Sequence, residues 1–120
     1  MTNSPTERPI RECVKAIRWV NRTAIVDVQG DVDLIRSGEF QQSLLGVMDQ
    51  RPERIVVNLA EVPYMDSSGV ASLVKLLGRA RRQQVGLRLV GLTDRVRSIF
   101  QITRLDGIFE IHATVQEALA

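Results

Sequence analysis

The spacing of hydrophobic and polar positions changes several times along this chain, and each change marks an element. Val14 to Val20 is a mostly apolar run, Asn21-Arg22 has turn chemistry, and Thr23 to Gln29 is a second run. In the second run Ala24, Val26 and Val28 alternate with Ile25, Asp27 and Gln29, the period of two of a half-buried strand. Gly30-Asp31-Val32-Asp33 ends it in a loop. From about Arg36 to Gln50 the spacing becomes helical, with Phe40, Leu44, Val47 and Met48 on one face. Gly38 and Gly46 weaken that helix, so it depends on packing, and Arg51-Pro52 stops it.

Ile55-Val56-Val57-Asn58-Leu59 is a short continuous apolar run, as expected of a strand covered on both faces. Asp66-Ser67-Ser68-Gly69 then leads into the best-patterned helix, Ser68 to about Gln84. Val70, Leu73, Val74 and Leu77 form its expected core stripe; Ser72, Lys75, Arg79 and Arg82 form the opposite face. Gly86 opens another strand through Val90. Thr93-Asp94 starts a helix with Val96, Ile99 and Phe100 inward, and Ile108 to Ile111 suits a last short strand. Thr114 and Glu117 have capping-box spacing for a terminal helix.

The order β-β-α-β-α-β-α-β-α implies an α/β fold: a mixed, mostly parallel central sheet of about five strands with about four helices, its first pair antiparallel. A length of 120 residues fits one domain, expected over 13–120, behind a flexible tail over 1–12 that contains two prolines. In such sheets the loops at the carboxyl ends of strands carry function. Gly30 to Asp33 and Ala60 to Ser68 both follow strands directly, so both are expected at one edge.

The 44% hydrophobic content supports a core without staples, and 4% aromatics leaves that core to Val, Leu and Ile. No apolar run approaches the roughly 20 residues of a membrane helix. The first residues lack the apolar segment of a secretory signal, and Cys13 is the only cysteine; both favour the cytoplasm. Net charge is +2, too small to announce a nucleic-acid binder. Its distribution is uneven: residues 1–66 carry 8 basic and 10 acidic side chains, residues 67–120 carry 8 and 4. The second half reads either as a solvated helix face or as a basic docking surface for an acidic protein.

Enzyme chemistry finds little purchase here. The serines lack a Gly-x-Ser-x-Gly elbow, and no base lies near them in sequence; His112 reads as a strand-end residue. No Gly-rich phosphate loop and no dinucleotide fingerprint occurs. One His and one Cys do not build a zinc site, and Asp31-x-Asp33 reads as a turn, so neither metal nor cofactor is expected. Arg79, Arg81 and Arg82 cluster without interleaved aromatics, which argues against direct nucleic-acid binding. Asp66-Ser67-Ser68-Gly69 therefore remains. Asp or Ser there caps the helix, and Gly69 permits close approach. The same turn also offers two hydroxyls where a helix N-terminus stabilises a phosphate.

Three stretches resemble one family. Gly30-Asp31-Val32-Asp33-Leu34 is similar to its turn after the second strand. Val56-Val57-Asn58-Leu59 with Met65-Asp66-Ser67-Ser68-Gly69 is similar to its central strand and phosphorylation loop. Leu89-Val90-Gly91-Leu92 with Val96, Phe100 and Leu105-Asp106 is similar to the strand-helix segment that follows. From about Val14 to Leu119 the chain resembles the STAS domain, in particular the bacterial anti-sigma factor antagonists switched by serine phosphorylation. The resemblance implies Ser68 as phosphoacceptor, with Asp66, Ser67 and Gly69 shaping the loop and Asp31 close by. It implies a partner that is both anti-sigma factor and ATP-using serine kinase, and a phosphatase to reset the switch. Lys75 and Arg79 on the basic helix face are expected to flank the contact. The chain itself is expected to be no enzyme. Gly69-Val70-Ala71-Ser72 departs from the family's usual Gly-Leu-Gly. That leaves open a second reading, a non-enzymatic STAS regulatory or scaffold subunit of a lipid-transport ABC system or signalling complex.

Overall fold

The computed structural model describes residues 13–120, so the expected tail lies outside the described residues. β1 (Val14–Val20) and β2 (Thr23–Gln29) form an antiparallel pair. There follow α1 (Leu34–Asp49), β3 (Arg54–Glu61), α2 (Ser67–Gln83), β4 (Gly86–Val90) and α3 (Asp94–Ile102). A 3-10 turn at Leu105–Gly107 leads to β5 (Glu110–His112) and α4 (Val115–Leu119). The strands lie side by side in chain order, and every pairing after the first is parallel. The α/β architecture read from the pattern is the one observed.

Chain order has a geometric consequence. Successive parallel crossovers all step the same way across the sheet, and right-handedness then sends their helices to one face. Residues from α1, α2 and α3, among them Phe40, Leu44, Leu73, Val96 and Phe100, share one core with alternate residues of β2, β3 and β4. Phe100 meets Phe109 edge to face, centroids 5.4 Å apart. The loops β2–α1, β3–α2 and β4–α3 therefore all leave the sheet at one edge.

The other face is covered by α4, whose Ala118 packs on Ile25, Val56 and Val90. This corrects the reading of β2 as half-buried: Ile25 alternates away from the main core and is buried all the same, under a helix 90 residues later. The expected cap holds α4 in place, since Thr114 Oγ1 accepts from the Glu117 N–H at 3.1 Å. Glu117 in turn accepts from the Ala113 N–H at 3.1 Å. The last strand begins at Glu110 rather than Ile108, because the 3-10 turn occupies the residues before it and Phe109 turns into the core.

A second correction concerns α2. Its buried residues are Gly69, Val70, Ser72, Leu73, Leu76 and Ala80, while Val74 is 38% exposed. The helix is rotated towards α1. Ser72, expected outside, is buried, and its hydroxyl donates to Ser37 O of α1 at 3.3 Å and to Ser68 O at 3.1 Å. The cause lies in the first turn of α2. A Cβ on Gly69 would sit 2.6 Å from Met65 Cγ and 2.9 Å from both Val32 Cγ1 and Val32 O. Only glycine lets α2 press onto the loops beneath it, and that contact sets the rotation of the whole helix.

Two glycine substitutions should therefore act with opposite sign. Gly69→Ala forces backbone apart and should cost about 1–3 kcal/mol. Gly46→Ala, in α1 with open space around it, should gain about 0.5–1 kcal/mol. Urea midpoints at constant m-value check both.

Candidate functional site

The two loops singled out in the sequence are zipped together. The Gly30 N–H donates to Glu61 O at 2.9 Å, the Val32 N–H to Tyr64 O at 3.0 Å, and the Asp66 N–H to Val32 O at 3.2 Å. Val32 and Met65 form a parallel bridge, in effect extending the β2–β3 pairing past the strand ends. Both side chains are buried. A third loop joins when the Thr93 hydroxyl donates to Val62 O at 2.9 Å.

On this platform sits the Asp66 carboxylate. It caps α2 through Oδ1, which accepts from the Ser68 N–H at 2.9 Å and the Gly69 N–H at 3.4 Å. The same oxygen accepts the Ser68 hydroxyl at 2.5 Å. Oδ2 accepts from the Leu34 N–H at 3.1 Å, and Leu34 is the first residue of α1. One carboxylate thus serves the open N–H groups of two helices, so two positive dipole ends converge on it. Burial acts to raise its pKa, but the hydrogen bonds from Ser68, Gly69 and Leu34 outweigh it and hold the carboxyl below the usual range. Asp66 therefore orients the Ser68 hydroxyl as an acceptor of its hydrogen bond rather than of its proton.

The two serines face different ways. Ser68 is half-buried against Asp66 on the α1 side. Ser67 is exposed and lines a groove of about 420 Å3 that opens towards α3, whose far wall includes Arg95 and Ile102. Asp31 lies exposed in the adjoining loop. Within that loop it is Asp33 rather than Asp31 that engages α1, capping it through the Arg36 N–H at 3.1 Å and pairing with the Arg36 guanidinium at 2.7 Å. Its signal was an Asp directly before the helical apolar spacing.

Gly69 and Asp66 meet the serines directly; the basic residues do not. Lys75 is exposed about 10 Å along the α2 axis from Ser68. Arg79 lies about 16 Å along it. Arg79 pairs with Asp49 at 2.5 Å and with Gln83 at 2.6 Å, clamping the far ends of α1 and α2. What sequence reasoning missed is apolar. Leu34 and Ile35 are 76% and 81% exposed beside Asp66, and Ile102 is 81% exposed on the groove. Helical periodicity places such residues outside the core but does not say that they gather around one turn.

The depressed Asp66 carboxyl contributes stability that is full above its unfolded pKa, about 3.9, and is lost as pH falls through its lower folded pKa. Asp66→Asn should remove that dependence. Its melting temperature should fall less than wild type's between pH 4 and pH 2.5, read by circular dichroism melts across that range.

The STAS domain family model matches residues 15–118. The anti-sigma-B factor antagonist of Staphylococcus aureus is 30% identical over 87 residues, covering 72% of this chain and 81% of that protein. The crystal structure of an anti-sigma factor antagonist from Mycobacterium paratuberculosis superposes with a TM-score of 0.80 at 22% identity, over 87% of this chain and 88% of that one. SpoIIAA in its unphosphorylated form gives 0.74 at 23%, over 87% and 91%. The phosphorylated form of the Bacillus protein gives 0.68 at 22%, over 87% and 95%. Fold, serine turn and family match agree: this chain belongs to the STAS domain family, with anti-sigma factor antagonists among its relatives.

Proposed function

We propose that this chain is an anti-sigma factor antagonist. Its loop edge docks on an anti-sigma factor that is also a serine kinase, and a sigma factor is freed. Phosphorylation of Ser68 switches the antagonist off, and a phosphatase restores it. The observation that carries the reading is the Ser68 hydroxyl, held 2.5 Å from the Asp66 carboxylate at a turn ringed by exposed Leu34, Ile35 and Tyr64. Apolar side chains on a solvent-facing edge suit a protein partner. A serine among them is placed where added charge strikes the contact directly. The names of the relatives support the same partner class.

In the switching step the Ser68 oxygen attacks the γ-phosphorus of ATP on the partner. The new P–O bond replaces the bond to ADP, and the hydroxyl proton leaves to the kinase's base. The phosphate brings about −1.5 to −2 charges. Its hydrogen bond to Asp66 is gone, and it sits beside that carboxylate. The neighbouring helix N-termini moderate the repulsion, so the domain stays folded. The partner contact meets both the bulk and the charge. Asp31, Asp66, Ser67, Ser68 and Gly69 form the centre of the contact, with Lys75 at its margin. Arg79, engaged with Asp49, contributes by fixing α2 against α1.

With the anti-sigma partner and ATP, wild type should dissociate and Ser68→Ala should stay bound. Ser68→Glu should bind roughly ten- to a hundredfold more weakly than wild type, as ~1–3 kcal/mol implies. Isothermal titration with the purified partner reads all three. Release of Ser68→Ala by ATP as readily as wild type would rule the mechanism out. Retention of transporter subunits by wild type and Ser68→Glu alike would point to the scaffold reading instead.

A further inference from the structure

The groove between the α2 start and α3 lies beside Ser68, whose hydroxyl is turned to Asp66 and which does not line it. One wall carries Tyr64, Met65, Asp66 and Ser67; the other carries Arg95, Ser98, Ile99 and Ile102. Two of these residues are charged. Asp66 is already engaged by Ser68, Gly69 and Leu34. Arg95 is exposed and, among the described residues, takes part in no ion pair. It differs in this from Arg18, Arg22, Arg36, Arg79 and Arg88, each of which has a carboxylate partner. The groove thus brings together an arginine with no carboxylate partner among the described residues and an exposed serine, with Ser98 one turn along from Arg95.

We infer that Ser67 is a second phosphate-accepting position, and that Arg95 reaches across the groove to hold that phosphate in cis. A guanidinium presents its N–H groups as a planar fork that matches phosphate oxygens two at a time. The step needs a nucleoside triphosphate and a protein kinase. The Ser67 oxygen bonds to the γ-phosphorus, the diphosphate leaves, and the hydroxyl proton passes to the kinase's base. The two serines then differ in kind. A phosphate on Ser68 meets the Asp66 carboxylate and loses a hydrogen bond. A phosphate on Ser67 meets a cation and ties the two walls of the groove together. This inference deepens the serine-switch reading by giving the neighbouring hydroxyl its own regulatory outcome. It does not depend on which kinase acts.

The test installs phosphoserine at position 67 or 68 of the full chain during synthesis, so it is independent of any partner. The second phosphate pKa is then followed by phosphorus NMR in wild type, Arg95→Gln, Arg95→Lys and Arg97→Gln. With phosphate at position 67, Arg95→Gln should raise that pKa by about half a unit, Arg95→Lys should restore part of the difference, and Arg97→Gln should leave it unchanged. With phosphate at position 68, Arg95→Gln should have no effect. Melting temperatures should follow, with phosphate at position 67 costing less than phosphate at position 68 until Arg95 is removed. Identical titration curves for wild type and Arg95→Gln with phosphate at position 67 would overturn the inference and leave the Ser68 switch standing. ATP-driven release of Ser68→Ala would remove that switch and leave this result intact.

Discussion

The geometry of the functional edge depends on one carboxylate. Asp66 accepts hydrogen bonds from the first residue of α1 and from the first turn of α2. These helices belong to different crossovers, and their N-termini would otherwise each present open N–H groups to water. Joining them requires the loops beneath to lie in register, which the Val32–Met65 bridge provides. It also requires α2 to approach those loops closely, which Gly69 alone permits. The rotation of α2, the burial of Ser72 and the direction of the Ser68 hydroxyl follow from that arrangement. The far end is fixed separately, by Arg79 and Asp49.

Much of this was legible in the amino-acid order. Strand limits at Val14–Val20, Thr23–Gln29 and Gly86–Val90 coincide with the apolar runs, since Asn21-Arg22 separates the first two and Gly30 and Gly91, both at positive φ, follow β2 and β4. The α1 face of Phe40, Leu44, Val47 and Met48 was readable because helical spacing reports a stripe packed on a sheet. The α2 stripe was read one step off. Periodicity gives a helix an apolar side, but neighbours decide its final rotation, and here a polar Ser72, satisfied by Ser37 O of α1 and Ser68 O of its own helix, takes the interior place expected of Val74. Ile25 went astray for a related reason, since what buries it is a short helix distant in sequence.

The site was legible as a motif and obscure as a surface. Asp66-Ser67-Ser68-Gly69 announced a helix start, and its placement at an edge shared with Gly30–Asp33 followed from the sheet topology. The hydrogen bond from Leu34 to Asp66 spans 32 positions, and no local pattern encodes it. Nor did any pattern separate Arg79, which is tied to Asp49, from Arg95, which faces the groove. Charge counted along the chain locates a basic half; only tertiary contacts show which cations are already spent.

Because one carboxylate holds both helix starts, events on either side of it are thermodynamically reciprocal. A ligand that grips the Leu34 end and draws its N–H away from Asp66 also alters how firmly that carboxylate holds the Ser68 hydroxyl. Conversely, a ligand that binds the Ser68 end and draws its hydroxyl from Asp66 changes the affinity at the Leu34 end by the same factor. The α1 start is thus a handle on how firmly the Ser68 hydroxyl is held, open to a ligand that never touches the serine.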